Sequence, residues 1–314
     1  MQKRVVLISL VVISLLFIVS CGSKIPSGEN PLDTSAALRQ VQTGTSGVDI
    51  SLVPNFPPTT IYDQTELVAI VEIHNRGNYD LSPSQCFIGV SGFDPNIVHG
   101  DFASGVKSCS PDLLEGKNIY NLEGTFDQVE FRSSSINLPR GVFEYNPNLN
   151  FVNCYSYHTT ANPEVCLDPL FYQIASEQKA CTPQDVSLGG GQGAPVGVSY
   201  VNVNMVGDKA IFEINILNQG NGRVLSPYSN IQTCGLNLQY DDFDRVNYNV
   251  ELGGRPGDCK PRDGYVRLNN GNGKIVCSFA LQGGSAYQAP LLIDLDYNYM
   301  NSLQKQVKII STPQ

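Results

Sequence analysis

The sequence contains no tryptophan, only three methionines and three histidines, and few charges, with 16% of its 314 residues being Asp, Glu, Lys or Arg. Without tryptophan, the indole-on-disulfide packing of antibody domains is excluded. Twenty basic residues are dispersed among 29 acidic ones, for a formal charge of −9, which argues against nucleic acid as a partner. No Cys-x-x-Cys pair occurs, and His74, His99 and His158 are scattered, so zinc is not expected. A Gly-x-Ser-x-Gly elbow is missing as well, and with it the commonest signature of a serine hydrolase. There is no Asn-x-Ser/Thr acceptor for an N-glycan. Outside the first 21 residues no window carries the periodicity of an amphipathic helix. No catalytic residues and no cofactor are assigned.

What is present begins with an export signal. Lys3 and Arg4 precede an apolar stretch over 5–19, broken only by serines, and the small residues Ser20, Cys21 and Gly22 follow it. Ile18-Val19-Ser20-Cys21 resembles a lipobox, which implies lipidation of the Cys21 thiol; an uncleaved signal anchor and a freely secreted form are the alternatives. All three export the remaining chain, and the expected place is the outer face of a membrane, at the cell surface or in the periplasm. Residues 22–47 are polar and poor in apolar side chains, and read as a flexible tether.

The body is an internal duplication. Val71-Glu72-Ile73-His74-Asn75-Arg76-Gly77-Asn78 matches Ile214-Asn215-Ile216-Leu217-Asn218-Gln219-Gly220-Asn221. In the same order Ser82-Pro83 recurs as Ser226-Pro227, Cys86 as Cys234, Cys109 as Cys259, and Tyr155-Ser156-Tyr157 as Tyr297-Asn298-Tyr299. The period is that of a domain. Each half reads as β: stretches such as 65–74 and 209–217 alternate Val and Ile with other residues, then stop at Asn-x-Gly-Asn, a turn signal. Further strands are expected at 48–53, 86–91, 128–132, 149–157, 196–206, 246–252, 274–280, 290–299 and 304–310. The fold class is therefore all-β. Two tandem immunoglobulin-like β-sandwiches are expected, over 48–180 and 196–314, joined by a Gly-rich linker over 181–195.

Apolar alternation followed by Asn-x-Gly and a hydrophobic turn also resembles the CARDB group, immunoglobulin-like modules found in tandem on archaeal and bacterial surface proteins. The resemblance implies an adhesive or structural role and no catalytic residue.

With Cys21 reserved for lipid, eight of the nine cysteines remain, which implies four disulfides in an oxidising compartment. The repeat pairs Cys86 with Cys109 and Cys234 with Cys259. A hairpin would pair Cys154 with Cys166, and elimination leaves Cys181 with Cys277. Asp241, Asp242 and Asp244 in one loop are candidate calcium ligands, and Asp294 and Asp296 share one face of a strand. For all of these carboxylates, simple solvent exposure is the stronger reading. Tyr62, Tyr79, Tyr228 and Tyr240 fall near turns and suit a contact surface. The expectation is a membrane-anchored structural or adhesive protein acting through protein or glycan contacts. The alternative is a ligand-binding component of envelope machinery, with carbohydrate as the example.

Overall fold

The structure is a computed structural model that describes residues 34–173 and 178–312. The export signal, Cys21 and the tether up to residue 33 lie outside the described residues. Residues Leu38–Gln314 form one unit.

An eight-residue helix, α1 (Thr34–Val41), precedes the strands. In the first half these are β1 (Val48–Leu52), β2 (Thr60–Tyr62), β3 (Leu67–Asn75), β4 (Cys86–Ser91) and β5 (Val106–Ser108). They continue with β6 (Phe126–Ser133), β7 (Glu144–Tyr145), β8 (Asn148–Ala161) and β9 (Glu164–Leu167). The second half holds β10 (Val186–Ser187), β11 (Val196–Val206), β12 (Lys209–Asn218), β13 (Arg223–Leu225), β14 (Arg245–Leu252) and β15 (Arg255–Pro256). It ends with β16 (Asp258–Lys260), β17 (Tyr265–Arg267), β18 (Asn272–Ala280), β19 (Tyr287–Gln306) and β20 (Lys308–Ile310). The all-β expectation holds, and β4 and β11 have the bounds read from the sequence. The hydrophobic alternation explains why: every second residue of β3 is buried, and Leu67, Ala69, Val71, Ile73 and Asn75 share the inward face.

Three sheets carry the architecture, and a fourth, small one joins β2, β20 and β7. One runs β1-β3-β6, a second β10-β11-β12-β18-β16, and the largest β15-β14-β19-β8-β4-β5 with β13, β17 and β9 attached. At the centre of the large sheet β8 and β19 pair antiparallel over 14 residues, from Asn148↔Gln306 to Ala161↔Ile293. A strand from each half of the sequence thus forms the spine of a single sheet. One face of this spine meets both smaller sheets: Asn301 Nδ2 donates to the Val48 carbonyl on β1 at 2.7 Å, and Thr159 Oγ1 donates to the Val196 carbonyl on β11 at 2.7 Å. Apolar side chains from all three sheets join in one core cluster.

Four tyrosines stand on that buried face. Tyr155 packs on Tyr157 and Tyr299, with ring centroids 5.6 Å apart in both cases, and Tyr297 closes the set against Tyr157 at 6.3 Å and Tyr299 at 6.4 Å. Burial pushes the hydroxyls of Tyr155, Tyr157 and Tyr297 well above the usual phenol range and that of Tyr299 to about 12. Two of the hydroxyls lock the Asn-x-Gly turns. Tyr299 Oη accepts from Gly222 N at 2.8 Å and donates to Asn218 Oδ1 at 3.0 Å, while Asn218 Nδ2 donates to the Gly222 carbonyl at 3.0 Å. In the other half Tyr157 Oη lies 3.3 Å from both Tyr79 N and Asn75 Oδ1, and Asn75 Nδ2 donates to the Tyr79 carbonyl at 2.7 Å. The middle glycine is obligatory: a Cβ on Gly77 would lie 1.7 Å from Tyr157 Oη, and one on Gly220 would lie 2.4 Å from Tyr299 Oη.

All eight cysteines of the body are disulfide-bonded, but only Cys86–Cys109 follows the pairing read from the repeat. The other bonds are Cys154–Cys234, Cys166–Cys181 and Cys259–Cys277. Cys154 and Cys166 do not face each other across a hairpin. They align with Met300 and Gln288 along β19, 12 residues apart on one strand, a separation of about 40 Å at strand rise. Cys234 follows a 3-10 turn rather than lying on a strand like Cys86, and reaches Cys154 of the other half. Cys259 and Cys277 sit directly opposite on β16 and β18. Four disulfides indicate an oxidising, extracytoplasmic environment. Among the described residues no helix is long and apolar enough to cross a membrane.

Among the described residues, parts of two segments read as flexible are hydrogen-bonded into the fold. Near the end of the tether, Gly44 N donates to the Gly190 carbonyl at 2.8 Å and Gly193 N to the Gly44 carbonyl at 2.8 Å. The Gly-rich run is packed rather than free. Gly191 has φ +72°, and a Cβ there would meet the Gly44 carbonyl at 2.2 Å, so glycine serves close backbone approach.

Candidate functional site

The opposite face of the β8–β19 spine is partly exposed, and it carries a row of polar side chains. Side chains two apart on a strand share a face, so Ser156, His158 and Thr160 of β8 stand beside Asp294, Asp296 and Asn298 of β19. Next to them on β14 come Asn249, Asn247 and Arg245, and beyond these Tyr265 and Arg267 of β17.

At one end of this face the segment 226–245 is folded down and held. Asn298 Nδ2 donates to the Ser226 and Ser229 carbonyls, both at 3.0 Å, and Asn298 Oδ1 accepts from Ser156 Oγ at 2.7 Å. Ser226 N donates to the Asp242 carbonyl at 2.7 Å. A capping box between Gln239 and Asp242 closes the short 3-10 turn Tyr240–Asp242. The result is a rigid platform for exposed aromatic rings: Tyr228 is 83% and Tyr240 78% exposed.

Arginines are layered on this platform. Arg223 lies over the Phe243 ring at 3.9 Å, Arg267 over Tyr240 at 4.4 Å, and Arg245 over Tyr265 at 4.7 Å. Asp241 Oδ1 accepts from Arg245 at 2.5 Å and from Arg267 at 3.0 Å, and Asp244 pairs with Arg223 at 3.3 Å. Asn247 Nδ2 donates to Tyr228 Oη at 2.8 Å. Planar cations each stacked on an aromatic ring and paired with carboxylates form a surface of the composition that dominates binding hot spots.

The acidic loop therefore has a different use from the calcium site considered from sequence. Asp241 and Asp244 hold arginines, and Asp242 Oδ2 accepts from Gln239 N at 2.7 Å, so the three carboxylates are committed to separate partners. Among the described residues no cluster of three metal-ligating side chains is formed. Of the four tyrosines singled out from sequence, Tyr228 and Tyr240 meet on this surface. Tyr79 instead packs on Tyr157, with centroids 5.5 Å apart, and Tyr62 lies on β2, apart from the surface. Arg223, Arg245, Arg267, Phe243 and Tyr265 escaped the sequence reading. The signal was present in Tyr265-Val266-Arg267, whose alternation puts ring and cation on one face.

Asp294 and Asp296 share a face as expected, and they flank His158. His158 Nδ1 lies 2.8 Å from Asp296 Oδ1, and its Nε2 lies 3.0 Å from Thr160 Oγ1. Thr160 Oγ1 donates to Asp294 Oδ1 at 2.8 Å, so its proton is directed to a carboxylate and not to the imidazole. The arrangement is an outer-face polar network rather than an activated nucleophile. His74 lies at the end of β3 with Nε2 2.9 Å from the Glu123 carbonyl, and His99 precedes a short 3-10 turn.

No family model and no curated protein matches the chain. Among solved structures it is similar to the secreted serine protease VesC from Vibrio cholerae at 11% identity and a TM-score of 0.20, with 88% of this chain and 53% of that one covered. The chain thus spans about half the length of that protein.

Proposed function

We propose that the chain is an extracytoplasmic structural or adhesive protein of two related halves, anchored to a membrane through lipid on Cys21, whose second half presents the arginine–tyrosine surface to a protein or glycan partner. The observation that carries this reading is the platform itself. Clustered exposed aromatic surface marks interaction sites, and here Tyr228 and Tyr240 share one surface with the stacked arginines, on a segment whose backbone is held by hydrogen bonds.

The duplication is supported by the contacts of the spine. Ser156 and Asn298, which match in the repeat, face each other, and each tyrosine faces its non-equivalent mate, Tyr155 with Tyr299 and Tyr157 with Tyr297. That register is what an internal two-fold axis through Ser156 and Asn298 requires. The paired Asn-x-Gly turns under Tyr157 and Tyr299 follow the same relation. We read each half as an immunoglobulin-like, CARDB-like module, with the tandem modules sharing one sheet.

Retention on a glycan array and on immobilised cell-surface protein tests the adhesive role. The chain should bind, and joint replacement of Tyr228, Tyr240 and Arg267 by alanine should lower retention at least tenfold with the melting temperature preserved. Equal retention by the variant would remove the surface from the account. Metabolic labelling with a fatty acid should mark the wild type and not Cys21→Ser.

A further inference from the structure

β1 is an edge strand whose only strand partner is β3, with Val48 opposite Asn75. In the other half β11 stands at the same place on β12, with Val196 opposite Asn218, the asparagine that the repeat matches to Asn75. Arg76 N donates to the Gly47 carbonyl at 2.8 Å and Val53 N to the Ile70 carbonyl at 3.0 Å. Residues 47, 49, 51 and 53 therefore turn their backbone groups to β3, and those of Val48, Ile50 and Leu52 point away from it. The Val48 carbonyl accepts from Asn301 Nδ2, as the Val196 carbonyl does from Thr159 Oγ1. Beyond this residue the two edges part.

In the second half the chain closes the edge with its own residues. At Val198, which matches Ile50, the Gln192 amide stands in for a strand: its Oε1 accepts from Val198 N at 2.8 Å and its Nε2 donates to the Val198 carbonyl at 3.0 Å. Leu188 N donates to the Ser199 carbonyl at 2.9 Å, and β10 pairs with Tyr200 and Val201. From the facing turn Asn78 donates to the Gln192 and Gly193 carbonyls, at 2.8 and 2.9 Å. The far edge of the β1-β3-β6 sheet is covered by charged side chains, the usual protection of an edge. There Asp101 Oδ2 accepts from Arg132 N at 3.3 Å, and Lys107 Nζ donates to the Glu130 carbonyl at 2.7 Å. On β1, among the described residues, the outward groups of Ile50 and Leu52 have no such partner, and neither have N and Nδ2 of Asn221, the match of Asn78. Ile50 and Asn221 both line a groove of about 460 Å³.

A glutamine amide does not suit this groove. A Cβ on Gly197 would lie 2.2 Å from Gln192 Oε1, and the matching residue of β1 is Asp49. Main chain does suit it, because β1 keeps one register throughout where β11 shifts between Val198 and Tyr200, so Ile50 and Leu52 offer N–H and C=O groups at strand spacing. Their side chains lie on the inward face beside Ile73 and Val71 and are only half-buried. We propose that β1 takes up an extended segment of a partner polypeptide as a further strand, with apolar side chains beside Ile50 and Leu52 and a carbonyl reaching Asn221. A second copy would bring its own 219–222 turn to the same groove, so the occupant is a free segment and not another folded edge. The site shares no residue with the arginine–tyrosine surface, and either can fail without the other.

The test titrates the full oxidised chain with the capped peptide Lys-Thr-Val-Thr-Val-Thr-Lys and with its fully N-methylated form, which cannot pair as a strand. Hydrogen exchange is read by NMR at single amides. In the protein alone the Ile50 and Leu52 amides should exchange fast, and the first peptide should slow both at least tenfold while the N-methylated one leaves them unchanged. Ile50→Pro removes an outward N–H without breaking a bond to β3, and should weaken the peptide at least tenfold. Asn221→Ala removes a donor that no bond of the fold uses, and should weaken it at least threefold at an unchanged melting temperature. No binding by the wild type would overturn the proposal, as would equal binding of the N-methylated peptide or equal binding by both variants. Slow exchange of both amides in the protein alone would mean that the chain closes this edge itself. Dimerisation that rises with concentration and is lost in Ile50→Pro would put a second copy there. Either result would overturn the assignment to a partner and leave the adhesive reading standing.

Discussion

Tyr157 and Tyr299 each spend one hydroxyl on holding a turn, so single atoms at these positions have measurable weight. Tyr299→Phe leaves Gly222 N and Asn218 Oδ1 without that partner and should cost about 1–3 kcal/mol in urea unfolding. Gly77→Ala forces a methyl onto Tyr157 Oη and the Gly193 carbonyl, and should cost about 3 kcal/mol, the upper end for overpacking. The buried phenols also set an alkaline limit. Burial raises their folded values above the unfolded value near 10, so their contribution is intact below pH 10 and is lost as the pH climbs towards 12. Ultraviolet titration should show most of the 15 tyrosines ionising smoothly and the buried set ionising only with unfolding. Smooth ionisation of all of them would mean that the set is accessible to water. The turn glycines were legible in the sequence, because Asn-x-Gly-Asn occurs twice. The hydroxyl that clasps each turn was not, since it comes from a strand about 80 residues away.

At the level of elements, alternation of Val and Ile was enough to place β3 and β12, and turn residues bounded them. Strand partners were harder to read, because pairing depends on register across the whole chain. Residues 290–299 and 304–310 looked like two strands, yet β19 runs unbroken from Tyr287 to Gln306 since β8 supplies a partner along most of its length. Of the cysteine pairings Cys86–Cys109 held, and the other three failed for the same reason. Repeat matching assumed that equivalent cysteines keep equivalent neighbours, and Cys234 left its strand for a turn that reaches the other half. Non-reducing peptide mapping should recover Cys154–Cys234, Cys166–Cys181 and Cys259–Cys277. On the chain-entropy model, replacing both Cys154 and Cys234 with serine should cost about 4.5 kcal/mol, against about 3 for the short Cys166–Cys181 loop. Recovery of Cys234 linked to Cys259 would contradict the placement of the turn that carries the arginine–tyrosine surface.

Across the whole molecule, alternation and turn signals pointed to the β class, and the N-terminal segment with an even number of remaining cysteines pointed to an oxidising compartment. The contact surface needed three dimensions: Arg223, Arg245 and Arg267 are spread over 45 residues of sequence and converge only because β13, β14 and β17 meet in one sheet. The two halves cannot behave as independent beads while β8 and β19 form one spine and Cys154–Cys234 crosses between them. Each half alone would expose a long spine strand and half of the tyrosine set. Calorimetric unfolding of the intact, oxidised chain tests this most directly. A single transition with equal calorimetric and van't Hoff enthalpies is the expected result. Two separate transitions, one for each half, would contradict a shared sheet and return the molecule to two sandwiches on a linker.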